Sequence, residues 1–108
     1  HVKELGFDFG VTPFEDSVPP VIEFSSGGIM SLTCGTGDNF VASSGELGCD
    51  VVDMEAYAVA KACYLAGIDF VSYKYITDGA GENAAEQWQA NCKKGAKKFH
   101  RVLREIIA

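Results

Sequence analysis

Alternating or continuously apolar stretches predict strands in four parts of the chain. Residues 4–12 alternate apolar side chains with polar or small ones, which is the period-two pattern of a half-buried strand. Residues 21–24 and 29–34 predict two more short strands, separated by a run of serine and glycine. Residues 70–76 are rich in aromatic and β-branched side chains, so a strand is expected there too.

Two other stretches predict helices. Residues 54–66 are rich in alanine, follow the apolar run 49–53 and precede Gly67, which favours a helix with a glycine stop. The last helix is expected to begin near Ala84. Its apolar residues recur every three or four positions and predict one stripe packed against the core: Trp88, Cys92, Ala96, Phe99, Leu103 and Ile106. Strands separated by helices predict an α/β fold.

Length and composition are those of one globular domain. The chain has 108 residues, of which 47% are hydrophobic and 22% are charged, enough apolar material for a core. It begins at His1 without an initiator methionine or a signal sequence, so we expect an internal or processed start. The sequence has no apolar run of about 18 residues, which argues against a membrane partner.

Charge is distributed unevenly along the chain, whose net charge is −6. Residues 1–92 carry three basic and fourteen acidic side chains, whereas residues 93–108 carry six basic and one acidic. A basic tail can indicate nucleic-acid binding. The solvated face of a final helix explains it better, because cations favour the negative end of a helix dipole and the rest of the chain would repel phosphates. We therefore expect no nucleic-acid partner.

The cysteines predict free thiols. They form no C-x-x-C pair and have no metal-ligand spacing with either histidine. Buried free thiols in a reducing cytoplasm are the ordinary interpretation, so we expect a cytoplasmic protein without structural zinc. The cysteines are Cys34, Cys49, Cys63 and Cys92.

Two carboxylates at the ends of predicted elements are the candidates for chemistry. The glycine-rich stretch 35–40 does not match a dinucleotide-binding loop, because Phe40 stands where the third glycine is required. Glu55 lies at the start of a predicted helix, and Asp78 lies just past the predicted strand 70–76, where ligands bind in open α/β sheets. Structural alternatives stay open: a first-turn acid favoured by the helix dipole for Glu55, and an Asp-Gly turn for Asp78.

Three segments, which occur along the chain in the same order as in the family, resemble the purine nucleoside phosphorylase and nucleosidase superfamily. Residues 51–56, Val-Val-Asp-Met-Glu-Ala, resemble its V-x-M-E-[AG] segment. Residues 74–78, Lys-Tyr-Ile-Thr-Asp, resemble its R-x-I-S-D segment at the expected separation, with Lys and Thr in place of the usual Arg and Ser. Residues 36–41, Thr-Gly-Asp-Asn-Phe-Val, resemble the S-G-D-x-F-[IV] segment of the branch that hydrolyses 5′-methylthioadenosine and S-adenosylhomocysteine. The match covers most of the chain after Ile29.

The resemblance implies roles for residues at both carboxylates. Asp78 would be the general acid that protonates the imidazole-ring nitrogen of the purine as the base leaves, and Thr77 would help to orient it. Glu55 would accept hydrogen bonds from the ribose 2′ and 3′ hydroxyls, near the positive charge that develops on the sugar. Met54 would pack beneath the ribose.

The resemblance also implies contacts to the base and to the 5′ group. Phe40 would stack on the base, and the backbone of Val41 would read its edge. Trp88 falls where the nucleosidases place an aromatic residue near the 5′-alkylthio group, although its place in the apolar stripe favours core packing. Three residues resemble positions that cover the 5′ pocket of a neighbouring subunit, so a homodimer is expected: Val2, Leu5 and Pro13.

Residues 1–108 are accordingly expected to be the carboxyl-terminal portion of a single phosphorylase/nucleosidase-like domain with a mixed sheet flanked by helices. The amino-terminal half of the family, which supplies the acid that activates water or the arginines that bind phosphate, is missing from this sequence. The implied reaction is hydrolysis of a purine nucleoside, a small-molecule substrate, with no metal or organic cofactor. Phosphorolysis and a non-catalytic nucleoside-binding role stay open, and the isolated chain is expected to be inactive.

Overall fold

A computed structural model describes residues 6, 8, 11–24, 32–37 and 48–108 of the chain. These residues contain two strands, β1 (Cys34–Thr36) and β2 (Val51–Asp53), and then three helices, α1 (Ala56–Ala66), α2 (Ala84–Asn91) and α3 (Ala96–Ile107). The α/β class predicted from the sequence is confirmed, as a small parallel sheet accompanied by helices. Within this part of the chain, no helix has the length and apolar composition needed to cross a membrane.

Strands β1 and β2 form a parallel pair in which Thr36 lies opposite Asp53. Gly35 permits the close approach of the chain just before β2, because a Cβ at this position would lie 2.8 Å from the Cys49 sulfur. Of the predicted strand 29–34, only its last residue lies in β1, and residues 29–31 lie outside the described part. The pairing brings two polar side chains together at the carboxyl ends of the strands.

Helix α1 follows β2 closely and ends where the sequence predicts. Gly67 is left-handed (φ 67°), and its N–H donates to the Tyr64 carbonyl at 3.2 Å. The N–H of Ile68 donates to the Cys63 carbonyl at 2.9 Å. This pair of bonds is a Schellman motif, which glycine adopts without the penalty of a Cβ. The predicted helix and its glycine stop are therefore confirmed.

Residues 11–24 lie against α1 through two polar contacts. The Tyr57 hydroxyl donates to the Pro19 carbonyl at 2.9 Å, and the Lys61 ammonium donates to the Glu15 carboxylate at 2.8 Å. Tyr57 and Lys61 are four positions apart, so they share one face of the helix. This face of α1 therefore holds the amino-terminal segment in place.

The strand predicted at residues 4–12 is wrong for the part of it that the structure describes. Gly6 lies in a turn (φ 84°), and the N–H of Val11 donates to the Asp8 carbonyl at 3.2 Å. A bond between residues three apart closes a turn, which an extended strand cannot contain. Alternation predicts which side chains share a face, but a strand also needs a neighbour for its backbone groups.

The strands predicted at residues 21–24 and 70–76 are also wrong within the described residues, where the sheet contains β1 and β2 alone. The two segments meet through their side chains instead. The rings of Phe24 and Phe70 lie with centroids 5.4 Å apart and planes tilted by 54°. Aromatic and β-branched residues suit a pleated surface, but tertiary neighbours decide whether a ladder forms.

The helix predicted from Ala84 begins there but is divided into two. Residues 92–95 form a turn between α2 and α3, and Gly95 is buried against Tyr75. A Cβ at position 95 would lie 2.9 Å from Tyr75 Cγ. The Lys98 ammonium lies 5.3 Å from the centre of the same ring, within reach of a cation–π contact. The turn thus places the start of α3 in contact with Tyr75 of the segment 70–76.

The apolar stripe predicted on the last helix does not face a core within the described residues. Its large side chains are between 45% and 57% exposed: Trp88, Phe99, Leu103 and Ile106. The buried apolar residues in the described part are Val18, Ala60 and Ala84. Periodicity predicts a face suited to burial, and it does not supply the surface that would bury it.

Candidate active site

The turn between β2 and α1 is fixed by the side chains that end the two strands. The Asp53 carboxylate accepts hydrogen bonds from the Thr36 hydroxyl (2.8 Å) and from the N–H of Ala56 (3.2 Å). The Thr36 hydroxyl accepts another from the N–H of Tyr57 at 3.1 Å. N–H groups in the first turn of a helix have no partner within it. Asp53 and Thr36 therefore cap α1 and hold residues 54–55 in place.

Glu55 stands immediately before α1 and makes no capping hydrogen bond with its side chain. The capping hydrogen bonds at this helix end are made by Asp53 and Thr36 instead. The dipole alternative for Glu55 stays open, because a carboxylate directly before a helix lies near the positive end of the helix dipole. Glu55 is exposed, and its neighbour Met54 is 41% exposed. Both predicted site residues are accessible to a ligand at the carboxyl end of β2.

An ion pair joins this turn to the segment that leads to Asp78. The Lys74 ammonium donates to Asp53 Oδ2. Partial burial alone would raise the pKa of Asp53, but hydrogen bonds from Lys74, Thr36 and the Ala56 N–H together hold it below its ordinary value. Because Lys74 precedes Asp78 by four residues, the pair ties both candidate segments to the end of the sheet.

Asp78 is half-buried in the loop that leads to α2. One carboxylate oxygen lies 3.4 Å from the Thr77 hydroxyl, and the other accepts the N–H of Ala80 at 3.3 Å. The contact to Ala80 is the local turn bond expected of an Asp-Gly sequence, so the structural alternative for Asp78 is present in the fold. Both contacts are longer than usual hydrogen bonds, which leaves the carboxyl group free to bind a better-placed partner.

Helix α2 contacts the backbone on both sides of Asp78. The Asn91 side-chain amide donates to the Thr77 carbonyl at 2.9 Å. The N–H of Gly79 donates to Gln87 Oε1 at 3.0 Å. The loop that carries Asp78 is therefore attached to a helix rather than left as an open turn.

The remaining predicted site residues are placed less completely. Trp88 lies on α2 and is 46% exposed, so core packing within the described residues does not account for it. Phe40 and Val41 lie outside the described residues. The ion pair between Asp53 and Lys74 links the segment that precedes Glu55 to the segment that precedes Asp78.

Four residues that shape the site were missed by the sequence-based predictions: Thr36, Asp53, Gln87 and Asn91. Thr36 and Asp53 could have been found, because each is a polar residue at the end of a parallel strand, where ligand sites form. Gln87 and Asn91 are four positions apart, which predicts a shared helix face. No pattern in the sequence indicates which loop that face contacts.

Thiol and metal chemistry receive little support from the described residues. The four cysteines are free thiols, but the burial expected for them is wrong: Cys34 and Cys92 are exposed, and Cys49 and Cys63 are half-buried. Partial desolvation raises the pKa of Cys34 above its ordinary value. A raised pKa keeps the thiol protonated, so Cys34 is a poor nucleophile. The described part of the chain also contains no group of three His, Cys, Asp or Glu side chains that could hold a metal ion.

Comparison with known proteins gives one family-level finding. The family model described as the phosphorylase superfamily matches residues 30–108. This range is more than half of the chain and includes both candidate carboxylates, Glu55 and Asp78. No curated protein and no solved structure matches the chain.

Proposed function

The chain belongs to the phosphorylase superfamily, and from this membership we propose that it forms the base-protonating and ribose-binding part of an enzyme that cleaves purine nucleosides. The bond cleaved is the N-glycosidic bond between base and sugar. One observation carries the proposal: the family match includes two carboxylates at the ends of elements of the fold. Glu55 follows β2, and Asp78 precedes α2. The Asp53–Lys74 ion pair connects the segments that lead to them.

In the proposed mechanism, Asp78 donates a proton to the imidazole-ring nitrogen of the purine while the glycosidic bond breaks. A neutral purine leaves more easily than its anion, and a positioned acid contributes about 10²–10⁴-fold to the rate. The half-buried carboxyl group and its long contacts to Thr77 and Ala80 support this role, since substrate can displace weak partners. The Thr77 hydroxyl helps to orient the acid.

Glu55 binds the sugar in the proposed complex. Its carboxylate accepts hydrogen bonds from the 2′ and 3′ hydroxyls of ribose, and its charge stabilises the cationic sugar of a dissociative transition state. Its exposure and its lack of a capping hydrogen bond support this role. Met54, which is also exposed, packs beneath the ribose ring as an apolar contact.

Contacts to the base and to the 5′ group complete the proposed site. Phe40 stacks on the purine, and the backbone of Val41 binds its edge. Trp88 borders the 5′ substituent. Its side chain on α2 is 46% exposed, so a ligand can reach it. A second copy of the chain closes the 5′ pocket, so the proposed assembly is a homodimer in the cytoplasm.

The proposed reaction is hydrolysis, and the proposed substrates are 5′-methylthioadenosine and S-adenosylhomocysteine. The bond between C1′ and the base nitrogen breaks, and its electron pair passes to the base, which takes the proton of Asp78. Water adds to C1′ and gives up a proton to solvent, and Asp78 regains its proton from solvent, so that one nucleoside and one water yield the neutral base and the free sugar. The resemblance of residues 36–41 to the hydrolytic branch supports water as the nucleophile. Phosphate in place of water would use the same acid and the same ribose contacts.

Base release by the full-length protein that contains residues 1–108 tests the proposal. The protein is incubated with 5′-methylthioadenosine, S-adenosylhomocysteine, adenosine and inosine, with and without phosphate, and free base is measured by chromatography. We expect release without phosphate, and a loss of about 10²-fold or more in Asp78→Asn, because an amide cannot protonate the base. Glu82→Gln removes another carboxylate of the same loop and should leave the rate unchanged.

Each alternative has its own outcome in this experiment. Release that requires phosphate would replace hydrolysis by phosphorolysis and keep the role of Asp78. If Asp78→Asn and Glu82→Gln change the rate of base release equally, Asp78 is not the general acid. Binding of these nucleosides without release of base would favour a non-catalytic member of the superfamily.

A further inference from the structure

One face of α2 is occupied by two side-chain amides that contact the loop around Asp78. Gln87 and Asn91 are four residues apart, so they project from the same side of the helix. Asn91 donates to the Thr77 carbonyl at 2.9 Å, and Gln87 accepts from the Gly79 N–H at 3.0 Å. The two contacts thus hold the peptide groups immediately before and immediately after Asp78.

The chemistry of the backbone fixes how both amides are oriented. A carbonyl oxygen can only accept, so Asn91 must present its NH₂ group to Thr77. A backbone N–H can only donate, so Gln87 must present its carbonyl oxygen to Gly79. Neither amide can be turned over without losing its bond, so the two residues act as a directional clamp on residue 78.

The clamp compensates for the weak direct contacts of the Asp78 side chain. Among the described residues, the carboxyl group contacts the Thr77 hydroxyl and the Ala80 N–H at long distances, and these contacts leave it free for substrate. Its position must therefore come from the backbone that carries it. A general acid needs such placement, because proton transfer requires the donor within about 3.2 Å of the acceptor.

We propose that Gln87 and Asn91 are positioning residues that aim the Asp78 carboxyl group at the departing base. This inference rests on the proposed function, because it assumes that Asp78 is the general acid. The amides act through Asp78 and do not themselves touch the substrate. The face of helix α2 that carries Gln87 and Asn91 is accordingly a positioning element for Asp78 and not only a packing element.

The test uses the full-length protein and two variants that keep side-chain shape without the polar group. Gln87→Met removes the acceptor for Gly79, and Asn91→Leu removes the donor to Thr77. Gln89→Met makes the same chemical change at an exposed glutamine of the same helix and serves as the matched control. The temperature of unfolding is measured for each variant. Because the two variants act on opposite sides of Asp78, one of them still tests the inference if the other fails to fold.

The expected result is a loss in kcat for purine nucleosides of about 10–100-fold in Gln87→Met and Asn91→Leu, with KM nearly unchanged. Gln89→Met should match the wild type. A second substrate, 4-nitrophenyl riboside, has a leaving group that departs without protonation, so its cleavage should be insensitive to all three variants and to Asp78→Asn. If the wild type does not cleave this riboside, the test rests on purine nucleosides alone: a loss in kcat with KM unchanged supports positioning of the acid.

Several outcomes overturn the inference. Equal losses for both substrates, or a rise in KM with kcat unchanged, would show a structural role and not positioning of the acid. Base release that Asp78→Asn abolishes but both clamp variants leave intact would overturn this inference alone. Failure of the wild-type protein to release base from any nucleoside would overturn the proposed function and the inference together.

Discussion

Asp53 and Glu55 stand two positions apart at the end of β2, and their carboxylates have different surroundings. Asp53 accepts from Thr36 and from the Ala56 N–H, and it pairs with Lys74. Glu55 is exposed and makes no capping bond. At the residue scale, the sequence pattern predicts a functional carboxylate but cannot separate it from the one that holds the turn, because that distinction depends on partners of Asp53 that lie 17 and 21 residues away.

The ion pair between Glu15 and Lys61 gives a pH-dependent prediction at the same scale. Hydrogen bonds from Lys61 and then from Ser17 lower the pKa of Glu15 from 4.5 to about 2. Because the folded pKa is depressed, the stabilisation by this carboxylate is present above pH 4.5 and is lost as the pH falls toward 2. NMR titration of the Glu15 carboxyl carbon measures the pKa directly.

Substitutions at Lys61 separate the contribution of the ion pair from that of Ser17. Lys61→Met should move the pKa of Glu15 back toward 4.5, because the main hydrogen bond and the nearby positive charge are both removed. Lys61→Arg keeps a donor and a charge and should preserve most of the depression. A wild-type Glu15 that titrates near 4.5 would show that the segment 11–24 does not rest on α1 in solution.

At the scale of elements, local patterns predicted the helices better than the strands. Alanine content and Gly67 fix α1 from within its own sequence, and the structure confirms both. The segment 70–76 has the composition of a strand but no ladder partner among the described residues. A helix satisfies its own backbone groups, whereas a strand needs a distant segment that composition cannot reveal.

The break between α2 and α3 has a similar cause. The apolar period continues from Trp88 through Phe99, so the pattern predicts one helix. The structure turns the chain at residues 92–95, where buried Gly95 meets Tyr75 from another segment. One glycine in a helical pattern is a weak signal, and only the contact across 20 residues shows that the turn depends on it.

Gly95→Ala should therefore destabilise the protein. The new Cβ would lie 2.9 Å from Tyr75 Cγ and 3.1 Å from its Cβ, atoms too close to the backbone to move aside. Overpacking of this kind costs about 1–3 kcal/mol, and alanine gains nothing in return, because Gly95 is the N-cap of α3, a position where glycine is preferred to alanine. Urea unfolding of the full-length protein measures the change in free energy of unfolding.

Gly81→Ala is the matched control for this prediction. A Cβ at Gly81 would meet no atom within 4 Å, so its effect should stay within about 0.5 kcal/mol. In a Tyr75→Ala background the cost of Gly95→Ala should shrink, because the ring atoms that would lie closest to the new Cβ are removed and only the Cβ of residue 75 stays. Equal effects of Gly95→Ala and Gly81→Ala would mean that α3 does not rest on Tyr75.

At the scale of the whole molecule, the described residues bury little of their apolar surface. Within the part of the chain that the structure describes, sixteen large apolar side chains are exposed, among them Leu65, Val71, Trp88 and Leu103, whereas the buried apolar residues are Val18, Ala60 and Ala84. The composition predicts enough apolar material for a core, and most of the large apolar side chains of the described residues are not assembled into one. Composition gives the amount of apolar side chain available for burial, but it does not show which apolar surfaces pack against one another.

The isolated 108-residue polypeptide should accordingly behave as an incompletely packed protein. We expect it to bind a hydrophobic dye such as ANS, to unfold over a broad range of urea and to associate as its concentration rises. It should also release no base from purine nucleosides, on the proposal that a further part of the protein supplies the groups that activate the nucleophile. Dye fluorescence, near-ultraviolet circular dichroism and light scattering after size exclusion measure these properties.

On the proposal that residues 1–108 are part of a longer domain, the longer protein is the control, and it should bind little dye and unfold cooperatively. A sharp two-state transition with no dye binding in the isolated polypeptide would show that its exposed faces pack against one another in solution. Base release by a dimer of the isolated polypeptide would have a stronger consequence. It would mean that a second copy supplies both the missing cover and the nucleophile, so that residues 1–108 contain the whole reaction and not only the base and ribose contacts.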